Sequence, residues 1–371
     1  MSNVTFSICE DYDVEKIRRI FLRMLEKLDY GEKIRSGERI LLKPNLLAAR
    51  KPHRAITTHP AVVEAVASVV IDLGATPVIS DSPGGAIRGA QRVLNNTGMN
   101  DVAKKLNIKT IPLETKGANI FTLPDGEKLF ISKIVEEVDG IINLPKMKTH
   151  SLTLTTFATK NLYGLVPGFR KAEFHKIYPT PRKFARLIVE VYKAVREKIR
   201  LNFIDGIVGM DGNGPSSGDV RKIGILGLSD DTAAMDAALE KIIGLKSPAP
   251  ITIELKRQNL LPDFAIEWLD GIPAENINLK IPSNWAMRFV PAFITRSLGA
   301  LVQVYPDVDE KKCIKCGDCK NSCPVSAISM EVGKTAPQFD YKKCIRCLCC
   351  HEICPTSAVI FKKSWLAKFI K

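Results

Sequence analysis

The stretch THPAVVEAVASVVIDLGATPVISDS, residues 58–82, passes from a helical pattern into a strand pattern at a glycine. Apolar residues recur with helical spacing as far as Gly74, which stands where a helix C-terminus is expected. TPVISDS (76–82) then has the composition of a short buried strand, and RILLKPNL (39–46), earlier in the chain, predicts another. Strand, helix and strand in this order are typical of a parallel sheet with crossover helices.

The same alternation continues through the first 280 residues. Further elements are predicted as buried strands at 140–147, 201–210 and 222–231, as helices at 181–198 and 231–244, and as a hairpin at 119–132 that turns at Asp125-Gly126. The sequence therefore predicts an α/β domain over residues 1–280, with a mostly parallel sheet flanked by helices.

Composition and charge narrow the class of protein. Of the 371 residues, 45% are hydrophobic and 25% are charged, which are ordinary globular values. The formal charge is +14, but lysine and arginine are spread along the chain without the aromatic-interleaved basic stripe of single-strand binders, so nucleic acid is a disfavoured partner. The first residues lack the features of a secretory signal, and no apolar run reaches the roughly 18 residues of a membrane span.

Two segments near the C-terminus stand apart in composition. Residues 281–304 are apolar but interrupted by Arg288, Pro291 and Arg296, so they predict a packed connector, with contact to a membrane surface as the less favoured alternative. The chain ends in KKSWLAKFIK, whose last residues, 366–371, form a predicted basic tail.

Nine of the ten cysteines lie between positions 313 and 354. They form two blocks, CIKCGDCKNSCP (313–324) and CIRCLCCHEICP (344–355), each with the spacing C-x2-C-x2-C-x3-C-P and offset by 31 residues. The likeness extends outward, because VDEKKCIKC precedes the first block as FDYKKCIRC precedes the second. These residues indicate a duplicated unit, and they resemble bacterial two-cluster ferredoxins over a small α+β domain at 305–365.

The spacing assigns ligands to two [4Fe–4S] clusters. Three cysteines at i, i+3 and i+6 reach three corners of one cubane, and the fourth, followed by proline, binds the partner cluster. The first cluster is then held by Cys313, Cys316, Cys319 and Cys354. The second is then held by Cys344, Cys347, Cys350 and Cys323.

Other uses of these cysteines are less consistent with the pattern. A disulfide framework needs an oxidising compartment, and zinc ribbons use two CxxC pairs rather than two blocks that end in Cys-Pro. A purely structural role for the clusters stays open beside electron transfer.

Cys349 replaces Asp318 of the first block and is interpreted as a bystander thiol, since the ligand set is complete without it. Oxygen-sensitive clusters predict a reducing, cytoplasmic location.

Polar residues follow four of the predicted strands. Lys43 and Asn45 follow the first, DSPGG (81–85) with Ser82 and Gly84 follows the second, and DGNGPSSGD (211–219) follows a later one. The remaining polar segment, KMKTHSLTLTTFATKNLYG (146–164), follows the strand predicted at 140–147. Because ligands in parallel sheets bind beyond the carboxyl ends of the strands, these loops predict one pocket. Each loop taken alone could be an ordinary turn, and neither common nucleotide-binding fingerprint is present.

The basic residues of this pocket are candidates for anion binding and proton transfer. Lys146, Lys148 and His150 alternate, so an extended segment turns them to one side, and Lys171 follows further on. The predicted anion-binding residues are Lys43, Asn45, Ser82, Gly84, Lys146, Lys160 and Asn161. The predicted catalytic residues are Lys148, His150 and His175, where a desolvated lysine or a histidine would carry the proton that accompanies an electron.

The segments LLKPNL, TTHPAVVEAVASVVIDLGATPVISDSPGG, NLPKMKTHSLTLTTFATKNLYGLVPG and DGNGPSSG together resemble the domain of unknown function 362 family, whose members often carry a C-terminal two-cluster ferredoxin segment. The resemblance implies an iron–sulfur redox protein and supplies no substrate. Our leading hypothesis is an oxidoreductase that relays single electrons from a redox protein partner through two clusters to a small anion. The alternative is a non-enzymatic electron carrier or assembly factor whose basic surface docks an acidic protein.

Overall fold

The computed structural model describes residues 2–83, 87–168, 170–212, 214–274, 277–282, 304–347 and 349–363. Gly84, nearly all of the predicted connector 281–304 and the predicted tail 366–371 lie outside these described residues. Within them, no helix is long and apolar enough to cross a membrane.

Residues before 283, which we call the α/β region, contain a large sheet with helices on both faces. The strands of this region are β1 (Ser2–Ile8), β2 (Arg39–Pro44), β3 (Thr76–Ile79), β4 (Lys109–Thr110), β5 (Ala118–Thr122), β6 (Lys128–Ser132), β7 (Gly140–Leu144), β8 (Lys146–His150), β9 (Leu154–Thr155), β10 (Ile199–Asp211), β11 (Asp219–Ser229) and β12 (Phe264–Trp268). Of these, β5 and β6 pair with each other in a separate two-stranded sheet. Its helices are α1 (Val14–Lys27), α2 (Pro60–Asp72), α3 (Ile87–Asn96), α4 (Met99–Leu106), α5 (Ala158–Asn161), α6 (Arg170–Ile177), α7 (Pro181–Val195), α8 (Thr232–Ile242) and α9 (Pro250–Arg257). Short 3-10 turns cover Gly31–Lys33, Pro52–Arg54, Leu113–Lys116, Lys133–Val135, Leu162–Leu165 and Arg196–Lys198.

The main sheet has the strand order β12-β1-β11-β10-β7-β2-β3-β4, and β8 pairs with both β10 and β9. The run from β10 through β7, β2 and β3 to β4 is parallel, whereas β11 is antiparallel to both of its neighbours. The predicted α/β class with a mostly parallel sheet is confirmed. The strand predicted at 140–147 divides into β7 and β8 at Pro145, a residue that has no N–H to donate to a ladder.

The central strands are buried on both faces. Ile40 and Leu42 of β2 pack into one core with α1 and α2, while Leu41 between them packs into a second core with α7. This two-sided burial explains why the strands are apolar runs rather than alternating patterns. Helix α2 ends as expected, since Gly74 adopts a φ of +80°.

Residues 304–363, which we call the cysteine-rich region, form a smaller strand and helix unit. It contains β13 (Val304–Val308), α10 (Asp318–Asn321), β14 (Ile328–Ser329), β15 (Gln338–Phe339), α11 (Cys349–Ile353) and β16 (Val359–Lys363). Strand β13 pairs antiparallel with β16, and β14 with β15. Lys315 and Arg346, which are 31 positions apart, share a φ near +57°. The two cysteine blocks therefore turn in the same way at corresponding residues.

Candidate functional site

Eight cysteines surround two cavities in the cysteine-rich region. Each cavity, counted to include its opening to solvent, is slightly larger than 300 Å³. The first is lined by Cys313, Cys316, Cys319 and Cys354. The second is lined by Cys323, Cys344, Cys347 and Cys350, together with Cys349. Within the described residues, no three His, Cys, Asp or Glu side chains converge on a point where a single ion could sit. Four sulfurs around an enclosed space fit a polynuclear cluster.

Backbone amides point at sulfurs in both halves of the cysteine-rich region. The Ala327 amide donates to Cys323 Sγ and the Ala358 amide to Cys354 Sγ, each over 3.2 Å. These are corresponding residues of the two blocks. Hydrogen bonds of this kind stabilise a thiolate and contribute to the reduction potential of a cluster that it holds.

The cysteine-rich region lies against the α/β region through contacts made beside the cluster cysteines. Arg50, in the loop after β2, donates to the backbone oxygen of Cys354 and, over 2.8 Å, to Ser357 Oγ. Arg92 on α3 pairs with Asp318. Further contacts are those of Ser217 with His351 and of His150 with Glu352.

A cavity of about 680 Å³, counted to include its opening to solvent, lies between the two regions. The sequence prediction named six of the residues that line it, which are Asn45, Ser82, Lys160, Asn161, Lys171 and His175. From the other side, Cys349, Glu352 and Ile353 of helix α11 complete its wall. We call this space the interdomain cavity.

Lys43 and Lys146 do not line the interdomain cavity. Lys43 Nζ lies 2.7 Å from Asp81 and Lys146 Nζ lies 2.8 Å from Asp205, and all four side chains are buried. Tyr12 completes the second pair, since its hydroxyl contacts both Asp205 and Lys146. Burial lowers the pKa of both lysines, and the neighbouring carboxylate opposes that shift. These two lysines are therefore neutralised by internal partners.

Lys148 is buried, and no described carboxylate lies within ion-pair distance of it. Its Nζ donates to Asn45 Oδ1 over 2.7 Å and to the Ile56 carbonyl over 2.6 Å. Burial lowers the pKa of Lys148 well below its usual range. Asn45 in turn donates to Asn161, which donates to Asn143. Lys148 does not line the interdomain cavity. It holds the side-chain amide of Asn45, which together with Asn161 forms part of the cavity wall.

His150 is held as a neutral hydrogen-bond donor. Its Nδ1 accepts from the Leu152 amide over 3.0 Å, which leaves the ring proton on Nε2. Nε2 has no hydrogen-bond partner in the described part of the chain and lies 3.8 Å from Glu352 Oε1. Burial, and next the charge of Lys160, lower the pKa of His150 well below its usual range. An imidazolium acting as general acid is thus disfavoured here.

Three further ionisable groups project into the interdomain cavity. The His175 ring stacks on Phe184 at 4.5 Å, and burial lowers its pKa to about 3, so this histidine also stays neutral. Lys160 Nζ lies 6.0 Å from the centre of the Phe184 ring and makes no hydrogen bond or close ion pair with any described residue. Lys171 Nζ donates to the Ser82 carbonyl, and burial lowers the pKa of this lysine to about 8.

Sequence reasoning missed three polar residues of the cavity wall. Thr156 is 3% exposed and lines the cavity. Cys349 and Glu352 replace Asp318 and Asn321 of the first cysteine block. That departure from an otherwise close repeat is the sequence signal that could have identified them, since only the second block faces the cavity.

The fold and the site define a class of protein: an α/β domain with a basic cavity at its strand ends, closed by an iron–sulfur module. Residues 305–355 match the model of a 4Fe-4S dicluster domain. Residues 40–240 match the domain of unknown function DUF362, and the chain belongs to that family.

The known proteins that are similar to this chain include the following two. The thylakoid-associated protein sll1697 of Synechocystis sp. is 35% identical over 263 residues, which are 70% of this chain and 80% of that protein. The lactate racemase apoprotein from Thermoanaerobacterium thermosaccharolyticum superposes with a TM-score of 0.41 and 15% identity, over 64% of this chain and 57% of the racemase. The match spans less than two thirds of the racemase and is too distant to carry any argument about fold or activity.

Proposed function

We propose that this protein is an iron–sulfur oxidoreductase that relays single electrons through two [4Fe–4S] clusters to a small anion in the interdomain cavity. The observation that carries the proposal is the position of Cys349, which lines both the interdomain cavity and the second cysteine-lined cavity. A ligand in the former would lie one side chain away from the latter. The clusters would supply one-electron chemistry, with the ligands Cys313, Cys316, Cys319 and Cys354 for one and Cys344, Cys347, Cys350 and Cys323 for the other.

The charge of the cavity wall supports an anion as the ligand. Asp81 is already offset by Lys43, so among the described lining residues the cations Lys160 and Lys171 face one further carboxylate, Glu352. Burial raises the pKa of Glu352 and lowers the pKa of Lys160, and the attraction between these two groups opposes both shifts. A desolvated cation without a partner is costly, and an anionic ligand would relieve that cost.

The residues around these cations could orient such a ligand. The wall carries the amide groups of Asn45 and Asn161 and the hydroxyl of Thr156. His175, neutral and fixed against Phe184, could accept or donate one hydrogen bond. In this proposal the lysines bind the negative charge of the ligand, and the neutral groups fix the orientation of the ligand.

The alternative function, docking of an acidic protein on a basic surface, requires lysines that are exposed to solvent. Lys43, Lys146 and Lys148 are at most 1% exposed, so none of them could contact a docked acidic protein. The identity of a redox protein partner and a cytoplasmic location stay predictions.

Anaerobic iron and sulfide analysis tests the cluster assignment, with about eight of each expected per chain. The variants Cys319→Ser and Cys350→Ser should each lose signal from a different cluster, whereas the matched control Cys349→Ser should retain the full iron content. About four iron per chain in the unmodified protein, or zinc in place of iron, would contradict the proposal. Anion binding is tested separately by the rise in melting temperature with inorganic phosphate or acetate against chloride at equal ionic strength.

A further inference from the structure

Two large apolar side chains are exposed beside the first cysteine-lined cavity. Ile314 is 59% exposed and Val332 is 57% exposed. They belong to one surface, because the Gly333 amide donates to the Lys315 carbonyl over 2.9 Å. A Cβ atom on Gly317 would lie 2.7 Å from Val332 Cγ2, so Val332 packs on the turn of the first cysteine block. Ile314 also lines the first cysteine-lined cavity, so this surface covers the place of the first cluster.

Lysines surround these two apolar side chains. Lys311 and Lys320 are exposed and Lys315 is half-buried, and none of the three lies within ion-pair distance of a described carboxylate. Lys320 Nζ donates to the Met330 carbonyl over 3.1 Å, which holds this cation two residues before Val332. We call Ile314, Val332, Lys311, Lys315 and Lys320 together the Ile314 face.

Two of the three carboxylates near the Ile314 face are already paired with lysines. Asp309 lies 3.0 Å from Lys312, and Glu331 lies 3.2 Å from Lys334. Glu310 is the third, and it is exposed. Five lysines therefore stand against three carboxylates on this part of the surface, which leaves it positively charged.

The Ile314 face lies at the end of the cysteine-rich region that does not border the interdomain cavity. The first cysteine-lined cavity shares no described lining residue with the interdomain cavity, whereas the second shares Cys349 with it. In the proposed function the electron leaves beside the interdomain cavity. A relay that uses both clusters therefore receives its electron at the first one, which the Ile314 face covers.

We propose that the Ile314 face is the docking surface for a small acidic protein that carries one electron. The proposal rests on the proposed function and names the class of its electron donor. The reduced carrier gives up one electron and the first cluster gains it, and no bond or proton is exchanged.

The two kinds of side chain on the Ile314 face have separate roles in this docking. The lysines attract and orient an acidic partner, which raises the rate of association. Ile314 and Val332 give apolar contact directly over the cavity, where a close approach of the two redox centres is needed. This surface fits a protein better than an anionic membrane, because a lipid headgroup placed over the cluster would supply no electron.

The test is anaerobic calorimetric titration of the cluster-loaded protein with flavodoxin, an acidic one-electron carrier. The Kd should rise with ionic strength, because the attraction is between exposed charges. Lys315→Glu should raise the Kd about tenfold at low salt, and Ile314→Ser should raise it about tenfold at any salt concentration. Stopped-flow reduction of the clusters by photoreduced flavodoxin should slow in the same two variants.

The duplicated cysteine block supplies matched controls. Ile345 and Arg346 correspond to Ile314 and Lys315, are both exposed, and lie at the second block. Ile345→Ser and Arg346→Glu change the same kinds of side chain beside the other cluster, so they should leave the Kd for flavodoxin unchanged. Each variant should retain about eight iron per chain.

Three results would overturn the proposal. The first is equal weakening by the second-block variants, or no weakening by Lys315→Glu and Ile314→Ser. The second is binding to phosphatidylglycerol vesicles that Lys315→Glu abolishes, without binding of flavodoxin, which would assign the face to a membrane surface. The third is a dimer in sedimentation that Ile314→Ser dissociates, which would assign the face to a second copy of the chain.

Failure of this docking surface can be distinguished from failure of the proposed function. If phosphate or acetate binds in the interdomain cavity but flavodoxin does not bind, the docking surface alone is refuted. If flavodoxin binds as expected and neither anion does, the docking surface stands and the proposed anion site is refuted.

Discussion

Replacement of Lys160 by methionine separates ligand binding from folding. Lys160 Nζ has no hydrogen bond or close ion pair within the described residues, although it borders the interdomain cavity. Its charge also lowers the pKa of both Lys148 and His150, so it repels other positive charge nearby. Methionine keeps the length and apolar packing of the side chain and removes only the cation.

Anion affinity and stability are expected to respond differently. A hydrogen bond to a charged group contributes about 1.5–3 kcal/mol, so the Kd for a small anion should rise by roughly 10- to 150-fold. The free energy of unfolding without ligand should change little, because relief of the repulsion on Lys148 offsets the lost attraction to Glu352.

The assay is anaerobic calorimetric titration with phosphate and acetate, together with denaturant unfolding of the same preparations. Lys183→Met is the matched control, because Lys183 is an exposed lysine on α7 without an ion pair to any described residue, and it should change neither quantity. The reasoning is refuted if Lys160→Met binds anions as tightly as the unmodified protein. It is also refuted if the variant unfolds more easily, since that would show that Lys160 stabilises the fold.

Three other predictions test neighbouring parts of the site. Because the pKa of Lys171 is lowered to about 8, its ammonium is present below pH 8 and lost above it, so anion affinity should fall roughly tenfold between pH 7 and 9, and Lys171→Met should show no such dependence. Lys146→Met leaves the buried Asp205 carboxylate without its cation and should cost about 3 kcal/mol of unfolding free energy, whereas adding Asp205→Leu should restore much of it; equal losses in both variants would contradict the ion-pair argument. Arg50→Ala removes the contacts to Cys354 and its neighbour, so amide hydrogen exchange in Cys349–Ile353 should accelerate at unchanged iron content, and unchanged exchange would show that docking does not depend on it.

The sequence was most informative where a local pattern specifies local structure. The spacing of the cysteine blocks groups their sulfurs in two sets of four, because a cubane restricts which neighbouring residues can reach it. The run from Thr58 to Ser82 likewise contains its own helix stop and strand, so the α/β class followed from apolar periodicity alone.

The sequence could not show which lysines are free. Nothing in the sequence distinguishes Lys43, Lys146 and Lys160. In the structure Lys43 pairs with Asp81, 38 positions away along the chain, and Lys146 pairs with Asp205, 59 positions away. Pairing of this kind depends on which strands become neighbours, and no periodicity encodes it.

By itself, therefore, the sequence determined the class of the sheet, the two cysteine blocks and the presence of a basic strand-end pocket. Only the tertiary structure decided that the second block closes that pocket, with Cys349 between them. The physical reason is that the wall of a cavity consists of side chains brought together by packing two folded regions. The net charge of that wall depends on which charged residues, far apart in sequence, form ion pairs with each other.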